Sequence, residues 1–169
     1  MKEPIINLGK ERSRRKRAGS DRPEVTPDDY VRVVEQACLQ RNLRLTALRE
    51  QVLRLVVLAG QPIKAYDVLG RMIEANGDTA PPTAYRALDF LTDHGFIHRL
   101  ASLNAYIACS HPEHRHSVPF LICEKCHRVI EIQDQRTVIL LESLAAAHGF
   151  QPREQTLEVY GACAACRTM

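Results

Sequence analysis

Four cysteines in two pairs, Cys123-Glu124-Lys125-Cys126 and Cys163-Ala164-Ala165-Cys166, have the types and spacing that most directly imply chemistry in this chain. A CxxC turn brings its two sulfurs together without strain. Two such turns supply the four thiolates of one tetrahedral zinc, each turn forming half of the cage. Residues 127–162 must then leave and return, which fixes two distant segments against each other. A single CxxC is equally the mark of a redox dithiol. Two pairs, each at the edge of a strand-like stretch in a polar chain, favour structural zinc over disulfides or free thiols.

The scaffold that must hold these thiolates is short. With 169 residues it has room for one large domain or two small ones, and its 45% apolar content, with 5% aromatics and no Trp, suffices for small helical and α+β cores. No uninterrupted apolar run approaches the roughly 18–20 residues of a membrane span. The N-terminal MKEPIINLGKERSRRKR has no apolar stretch leading to a cleavage site, so no secretion signal is expected. Six cysteines in such a chain imply a reducing, cytoplasmic setting, where metal ligation is favoured over disulfides. The net charge of +3 is unevenly spread. Lys2, Lys10, Arg12, Arg14, Arg15, Lys16, Arg17 and Arg22 stand against Glu3, Glu11 and Asp21, and the remainder is near neutral or slightly acidic. This tail reads either as a disordered, solubilising extension or as an arm that neutralises DNA phosphates.

Beyond the tail, turn and cap signals divide the chain. Thr26-Pro27-Asp28-Asp29 starts a helix with an N-cap, a first-position Pro and early acids. Tyr30, Val34, Ala37 and Cys38 follow at helical spacing, Cys38 as a core thiol. Thr46 caps a second helix with Leu48, Val52, Leu55 and Val56 on one face and Gly60 after its end. A third is expected from about Lys64 to Ala75, with Ala65, Val68, Leu69, Met72 and Ile73 inward, before an Asn76-Gly77 turn. Thr79-Ala80-Pro81-Pro82 opens a fourth, striped by Ala84, Ala87, Leu88 and Leu91 and ended by Gly95. Strands at Phe96–Leu100 and Ala105–Cys109 flank a turn around Ser102-Leu103-Asn104. Short helices followed by a hairpin form the pattern of a winged helix-turn-helix.

The composition then changes. Residues 110–116 are polar and His-rich, a hinge. Phe120-Leu121-Ile122 leads into the first CxxC and Val129–Gln133 leads out of it as strand. Thr137 to His148 is a helix with Val138, Leu141, Leu144 and Ala145 inward and Gly149 at its end, and Thr156–Ala162 is a final strand into the second CxxC. This small α+β unit is near the size at which a metal staple is needed.

A helix-turn-helix lays its second helix in the major groove, with N-terminal outward residues on base edges. If Ala84, Leu88 and Leu91 face the core, Thr83, Tyr85, Arg86 and Asp89 lie on or beside the exposed face. Arg86 suits a guanine edge, the Tyr85 ring a thymine methyl, and Thr83 a phosphate. Arg44, Thr46 and Arg49 surround the start of the chain's second helix, the one capped by Thr46, and suit phosphates. The same residues also fit an ordinary solvated helix face.

The words RNLRLTALREQVLRLV, AYDVLGRM, PPTAYRALDFLTDHGFIHRL, ICEKCHRVIEI and YGACAAC, in this order, resemble the ferric uptake regulator superfamily, and within it most resemble the zinc uptake regulator branch. The resemblance spans about residues 28 to 166. It implies a homodimeric bacterial repressor that binds palindromic operators in double-stranded DNA when loaded with its metal. The implied fold is α+β, a winged helix followed by a small α/β dimerisation domain. Residues 1–25 then form the disordered basic tail, 26–103 the DNA-binding domain, 104–117 the wing end and hinge, and 118–169 the dimerisation and metal-binding domain. The family's recognition pair falls on Tyr85 and Arg86, and its structural zinc on Cys123, Cys126, Cys163 and Cys166.

The resemblance also implies a second, regulatory zinc between the domains, giving two per chain. The matching positions are His98, Cys109, His116 and Glu131. One thiolate, two imidazoles and a carboxylate suit borderline-soft zinc, whereas iron(II) or manganese favours more oxygen and nitrogen and no lone thiolate. Iron-type members carry His-x-Asp before the first CxxC, where this chain has Ser117 and Pro119. They also carry a His where this chain has Gln155. Each of the four residues alone also has a structural reading. His98 suits a wing surface, Cys109 a buried apolar site and Glu131 a solvated strand face. His111 and His114 are spare loop histidines that either extend this cluster or face solvent. Three other classes remain: an iron, manganese or peroxide sensor of the same superfamily, a non-sensing zinc-stapled adaptor, and a zinc deaminase. The deaminase reading, from His111-x-Glu113 and the first CxxC, fails because Ile122 replaces the expected Pro and the second CxxC has no role.

Overall fold

The computed structural model describes residues 26–77, 80–114, 116, 118–152 and 157–167. The basic tail, Thr79, Ser117, Gln155 and Thr156 lie outside the described residues.

Capping chemistry sets the first helices. The Thr26 side chain accepts from the Asp29 N–H at 3.1 Å and Pro27 takes the first position of α1, Pro27–Gln40. Thr46 caps α2, Ala47–Ala59, through the Arg49 N–H, and Gly60 ends it at φ 60°, a left-handed conformation that favours glycine. A two-residue strand, β1 (Ile63–Lys64), precedes α3, Ala65–Asn76. Pro81 then starts α4, Pro81–Asp93. Strands β2 (Ile97–Leu100) and β3 (Ala105–Ala108) form the wing hairpin, with Asn104 at φ 45° in its turn. Both wing strands are antiparallel, and β1 adds to the free edge of β3 in the order β1-β3-β2. Sequence reading missed β1, because two residues are too few to show alternation.

The helical stripes meet in one core. Val34 of α1, Val52, Leu53 and Val56 of α2, Val68 and Met72 of α3, and Leu88 and Leu91 of α4 are buried around Phe96. Each such side chain stabilises the fold by roughly 1.5–3 kcal/mol. Cys38 is buried among them, as expected. Ile73 is not: it is 43% exposed, because the α3 stripe runs through Val68, Leu69 and Met72 and leaves Ile73 at its margin.

The second unit is a three-stranded sheet in the order β5-β4-β6. Its central strand β4, Pro119–Cys123, pairs antiparallel with β5, Val129–Glu131, and parallel with β6, Leu157–Gly161. The crossover from β5 to β6 runs through α5, Gln135–Ala147, capped by Asp134. One turn of helix, α6 (Ala164–Arg167), follows β6. The expected inward face of α5 is corrected here. Leu141 is 36% and Leu144 50% exposed, and no residue of α5 is buried, because no other described residue covers that face.

The two sheets share a smaller core. Leu100 and Ile107 of the wing pack with Phe120 and Ile122 of β4, edged by Leu103, Val118 and Val129. The segment between the sheets is tied back as well. Arg41, at the end of α1, donates to the carbonyls of His94 (2.9 Å) and Glu113 (2.6 Å).

Candidate metal centres and nucleic-acid interface

Parallel pairing of β4 with β6 explains why the two CxxC turns meet. Cys123, the last residue of β4, lies opposite Gly161, the last of β6, so both turns leave the sheet at the same end. His127 closes the first turn, donating to the Cys123 carbonyl at 2.8 Å with φ 57°. The four sulfurs all lie within 4.8 Å of one another. Cys126 and Cys163 are 3.8 Å apart, and the Cys163 N–H points at the Cys123 sulfur at 3.4 Å. Backbone N–H groups of Cys163 and Cys126 lower the Cys123 thiol to about 6. The neighbouring sulfurs of Cys163 and Cys126 push Cys166 up to about 12. Crowded sulfurs resist a second ionisation, and a dication removes that resistance, so the donor set fits zinc.

The second cluster draws on both sheets. The Cys109 N–H donates to the Phe96 carbonyl at 3.2 Å, which places Cys109 diagonally from His98 on one face of the wing. Glu131 ends β5, and His116 comes from the connecting segment. The ligand atoms of His98, Cys109, His116 and Glu131 all lie within 4.8 Å of one another. His116 Nε2 is 3.0 Å from Glu131 Oε1 and 3.5 Å from Cys109 Sγ, and His98 Nε2 is 3.8 Å from Glu131 Oε1. Donor pairs around a tetrahedral zinc are about 3.3–3.8 Å apart, by the usual bond lengths.

Three further observations test the fit. His98 Nε2 is buried with no hydrogen-bond partner. His116 Nδ1 donates to the His114 carbonyl at 2.7 Å, which turns the lone pair of Nε2 toward Glu131. Two lone pairs then face each other unless a proton or a cation lies between them. Glu131 Oε2 accepts from the Ser110 N–H at 2.9 Å, leaving Oε1 for the cluster. Burial pushes the Glu131 carboxyl up, yet the imidazoles of His98 and His116 and the Ser110 N–H hold it well below the usual carboxylate range. At 3.8 Å the pull of His98 is electrostatic rather than a hydrogen bond. A buried carboxylate beside an unsatisfied imidazole nitrogen and a thiol fits a divalent metal of zinc type.

The side chains of the spare histidines stay outside both ligand sets, while the His111 N–H donates to Cys109 Sγ at 3.3 Å. His111 pairs with Glu113 and with the Gln133 amide, and His114 contributes only its carbonyl to His116.

On α4, Ala84, Ala87, Leu88 and Leu91 are buried as the stripe required. Tyr85, Arg86 and Asp89 are exposed and Thr83 is half-buried. Arg44 is also exposed. Arg49 is half-buried, with its guanidinium 3.5 Å above the Phe90 ring and donating to the Arg44 carbonyl at 2.6 Å. In this arrangement Arg49 locks the start of α2 onto α4, a role its sequence position did not signal.

A winged helix joined to a small metal-binding α/β unit is the architecture of a known class of proteins. The ferric uptake regulator family matches residues 40–160. The zinc uptake regulation protein of Escherichia coli (strain K12) is 40% identical over 144 residues, 85% of this chain and 84% of that protein. The chain therefore belongs to the ferric uptake regulator family and, within it, stands with the zinc uptake regulators. Solved structures agree. A zinc uptake regulator complexed with zinc and DNA superposes with a TM-score of 0.80 at 39% identity, covering 86% of this chain and 97% of that one. Holo XcZur superposes at 0.78 with 52% identity, covering 84% and 99%. The apo form of XcZur, at the same 52% identity and covering 84% and 98%, reaches only 0.50. The chain therefore superposes better on the holo form of that protein than on its apo form. No helix among the described residues is long and apolar enough to cross a membrane.

Proposed function

We propose that this chain is a zinc-responsive transcriptional repressor. In this reading it acts in the cytoplasm as a homodimer, binds palindromic operator DNA when loaded with zinc, controls zinc-uptake genes and catalyses no reaction. The observation that carries the reading is the second cluster. Its four donors come from both sides of the joint between a DNA-binding unit and a second unit, and they converge within 4.8 Å.

Two zinc ions per chain follow from the two donor sets. Cys123, Cys126, Cys163 and Cys166 would hold a structural ion, and His98, Cys109, His116 and Glu131 a regulatory one. Zinc, when bound, supplies the positive charge that keeps a thiolate, a carboxylate and two imidazoles in one shell. His98 and Cys109 belong to the wing and Glu131 to the second sheet, so keeping them together fixes the wing against that sheet. The wing continues from α4 through Gly95, so its position sets the direction of Tyr85 and Arg86. The uncovered α5 face, with Leu141 and Leu144, suits the dimer interface. Two-fold symmetry then sets the spacing of two α4 helices at about 34–36 Å, successive major grooves. Thr83, Arg44 and Arg49 are assigned to phosphates, with Arg49 leaving its stack on Phe90 to reach them. Metal and DNA favour the same closed arrangement, with a coupling of about 1–3 kcal/mol expected.

The test combines elemental analysis with operator binding before and after mild chelation. Two zinc ions per chain falling to one, with operator binding lost and then restored by zinc but not by iron(II) or manganese, is the expected result. One zinc, unaffected by chelation or resupply, overturns the sensing role.

A further inference from the structure

Phe120 occupies the middle of a rung in the second sheet. Opposite it on β5 is Glu131, and opposite it on β6 is Glu158. Residues paired across a rung share one face of a sheet, and all three of these meet the wing. Glu131 reaches His98 and Cys109, and the Phe120 ring centroid lies 5.2 Å from that of His98. Glu158 goes to the wing turn, accepting from the Ala101 N–H at 2.8 Å, from the Ser102 N–H at 3.3 Å and from the Ser102 hydroxyl. The Tyr160 hydroxyl donates to the same carboxylate at 2.9 Å. The wing is therefore held on two sides of Phe120, by the metal-type cluster on one and by a carboxylate that is part of neither metal centre on the other.

Ala101 and Ser102 follow β2 directly, in the turn that leaves the strand. Their N–H groups have no strand partner to return to, and a carboxylate accepts them more strongly than a neutral group does. Burial pushes the Glu158 carboxyl up, but Ser102, Tyr160 and the Ala101 N–H outweigh it and hold the carboxyl below its ordinary value.

We propose that Glu158 is a positioning residue for the operator-binding state, a latch on the wing turn that needs no metal and sets the zinc affinity of the His98, Cys109, His116 and Glu131 cluster without touching it. The proposal rests on the regulator reading above. The latch forms only when the wing lies on the second sheet, so it raises the closed fraction of the metal-free chain. The apparent dissociation constant of the exchangeable zinc is the intrinsic one divided by that fraction. Removing the latch lowers the fraction and weakens zinc binding, while saturating zinc still closes the joint and restores operator affinity.

The experiment measures exchangeable-zinc affinity by competition with a chromophoric chelator, using the full-length dimer. It also measures operator binding against zinc. Glu158→Ala is expected to weaken exchangeable zinc by about fivefold to tenfold, within the net size of one ordinary hydrogen bond. Its non-exchangeable zinc should stay at one per chain and its operator affinity at saturating zinc should approach that of the wild type. Ser102→Ala is expected to shift zinc affinity in the same direction by less, Glu158→Gln to recover part of the loss, and the Glu158→Ala/Ser102→Ala pair to be no worse than Glu158→Ala alone. A merely structural contact would lower the thermal midpoint without moving the zinc titration. If Glu158→Ala loses its non-exchangeable zinc, Ser102→Ala carries the test. An unchanged zinc affinity in the variant that keeps its fold overturns the latch and leaves the regulator reading intact. Absence of any exchangeable zinc in the wild type overturns that reading instead.

Discussion

The hydroxyl of Tyr30, in the first helix, lies 2.8 Å from the backbone carbonyl of Cys109, a residue 79 positions away. The same hydroxyl is 2.7 Å from the carbonyl of Phe96, the partner of Cys109 across the wing. One buried phenol therefore spans the two strand ends that deliver the only thiol of the second cluster. Tyr30→Phe keeps the ring and removes this link. It is expected to lower unfolding free energy by about 0.5–1.5 kcal/mol, measured by urea titration, and to weaken exchangeable zinc by letting Cys109 move. An unchanged zinc titration would mean that α1 supports the core but not the site.

Cys109→Ser replaces the soft donor of the cluster with a hydroxyl. Elemental analysis should fall from two zinc ions per chain to one, and zinc-dependent operator binding should disappear while the thermal midpoint of the chelated protein is retained. Undiminished zinc-dependent binding in this variant would falsify the assignment of Cys109.

Cys163→Ser strikes the other centre. The sheet of the second unit is small, α5 has no buried residue, and the parallel edge of β6 is closed by the two CxxC turns. Loss of this zinc is expected to unfold the second unit and the dimer, seen as a broadened amide spectrum for that unit alone. The core around Phe96 does not include the second unit, so the winged helix should keep its own spectrum.

Arg86 is exposed near the N-terminus of α4. Arg86→Ala is expected to lower operator affinity by about 1–3 kcal/mol, roughly 5- to 150-fold, and to relax preference at one base pair per half-site. Zinc content should not change. A uniform loss on all sequences, with a shallower salt dependence, would instead make Arg86 a phosphate contact.

Leu141 and Leu144 stand exposed on α5, beside Leu140 at 56% and Ile139 at 60%. Leu144→Glu is expected to convert the dimer to monomer in sedimentation equilibrium without loss of either zinc. A dimer that survives this change would place the interface elsewhere.

Most of the winged helix was legible in the sequence because its helices obey local rules. Thr26, Thr46, Gly60 and the prolines at 81 and 82 mark ends that depend on nearby residues alone. The stripe of α4 was read residue by residue, and the four thiolates from their spacing. The second cluster was legible only through family resemblance. His98, Cys109, His116 and Glu131 share no periodicity, and their meeting depends on how two sheets pack. Leu141 and Leu144 were misplaced for a related reason, since an apolar stripe shows which residues share a face but not whether the same chain covers it. Glu158 gave no signal, because an acid on a strand looks solvated until the partner turn is known. Arg41 and Arg49 were hidden likewise, because their carbonyl and ring partners are set by tertiary packing.

The parallel pairing of β4 with β6 also orders events in time. The winged helix is complete once Ala108 has been made, whereas the sulfur cage needs Cys163 and Cys166, some 40 residues after Cys123. During synthesis the winged helix can fold while the first CxxC waits with half a cage. Only when the second pair emerges can the strands align and metal be locked in. On the regulator reading proposed above, a growing chain therefore holds a folded winged helix before its sulfur cage can close, so the capacity to fold one unit precedes the capacity to staple the other.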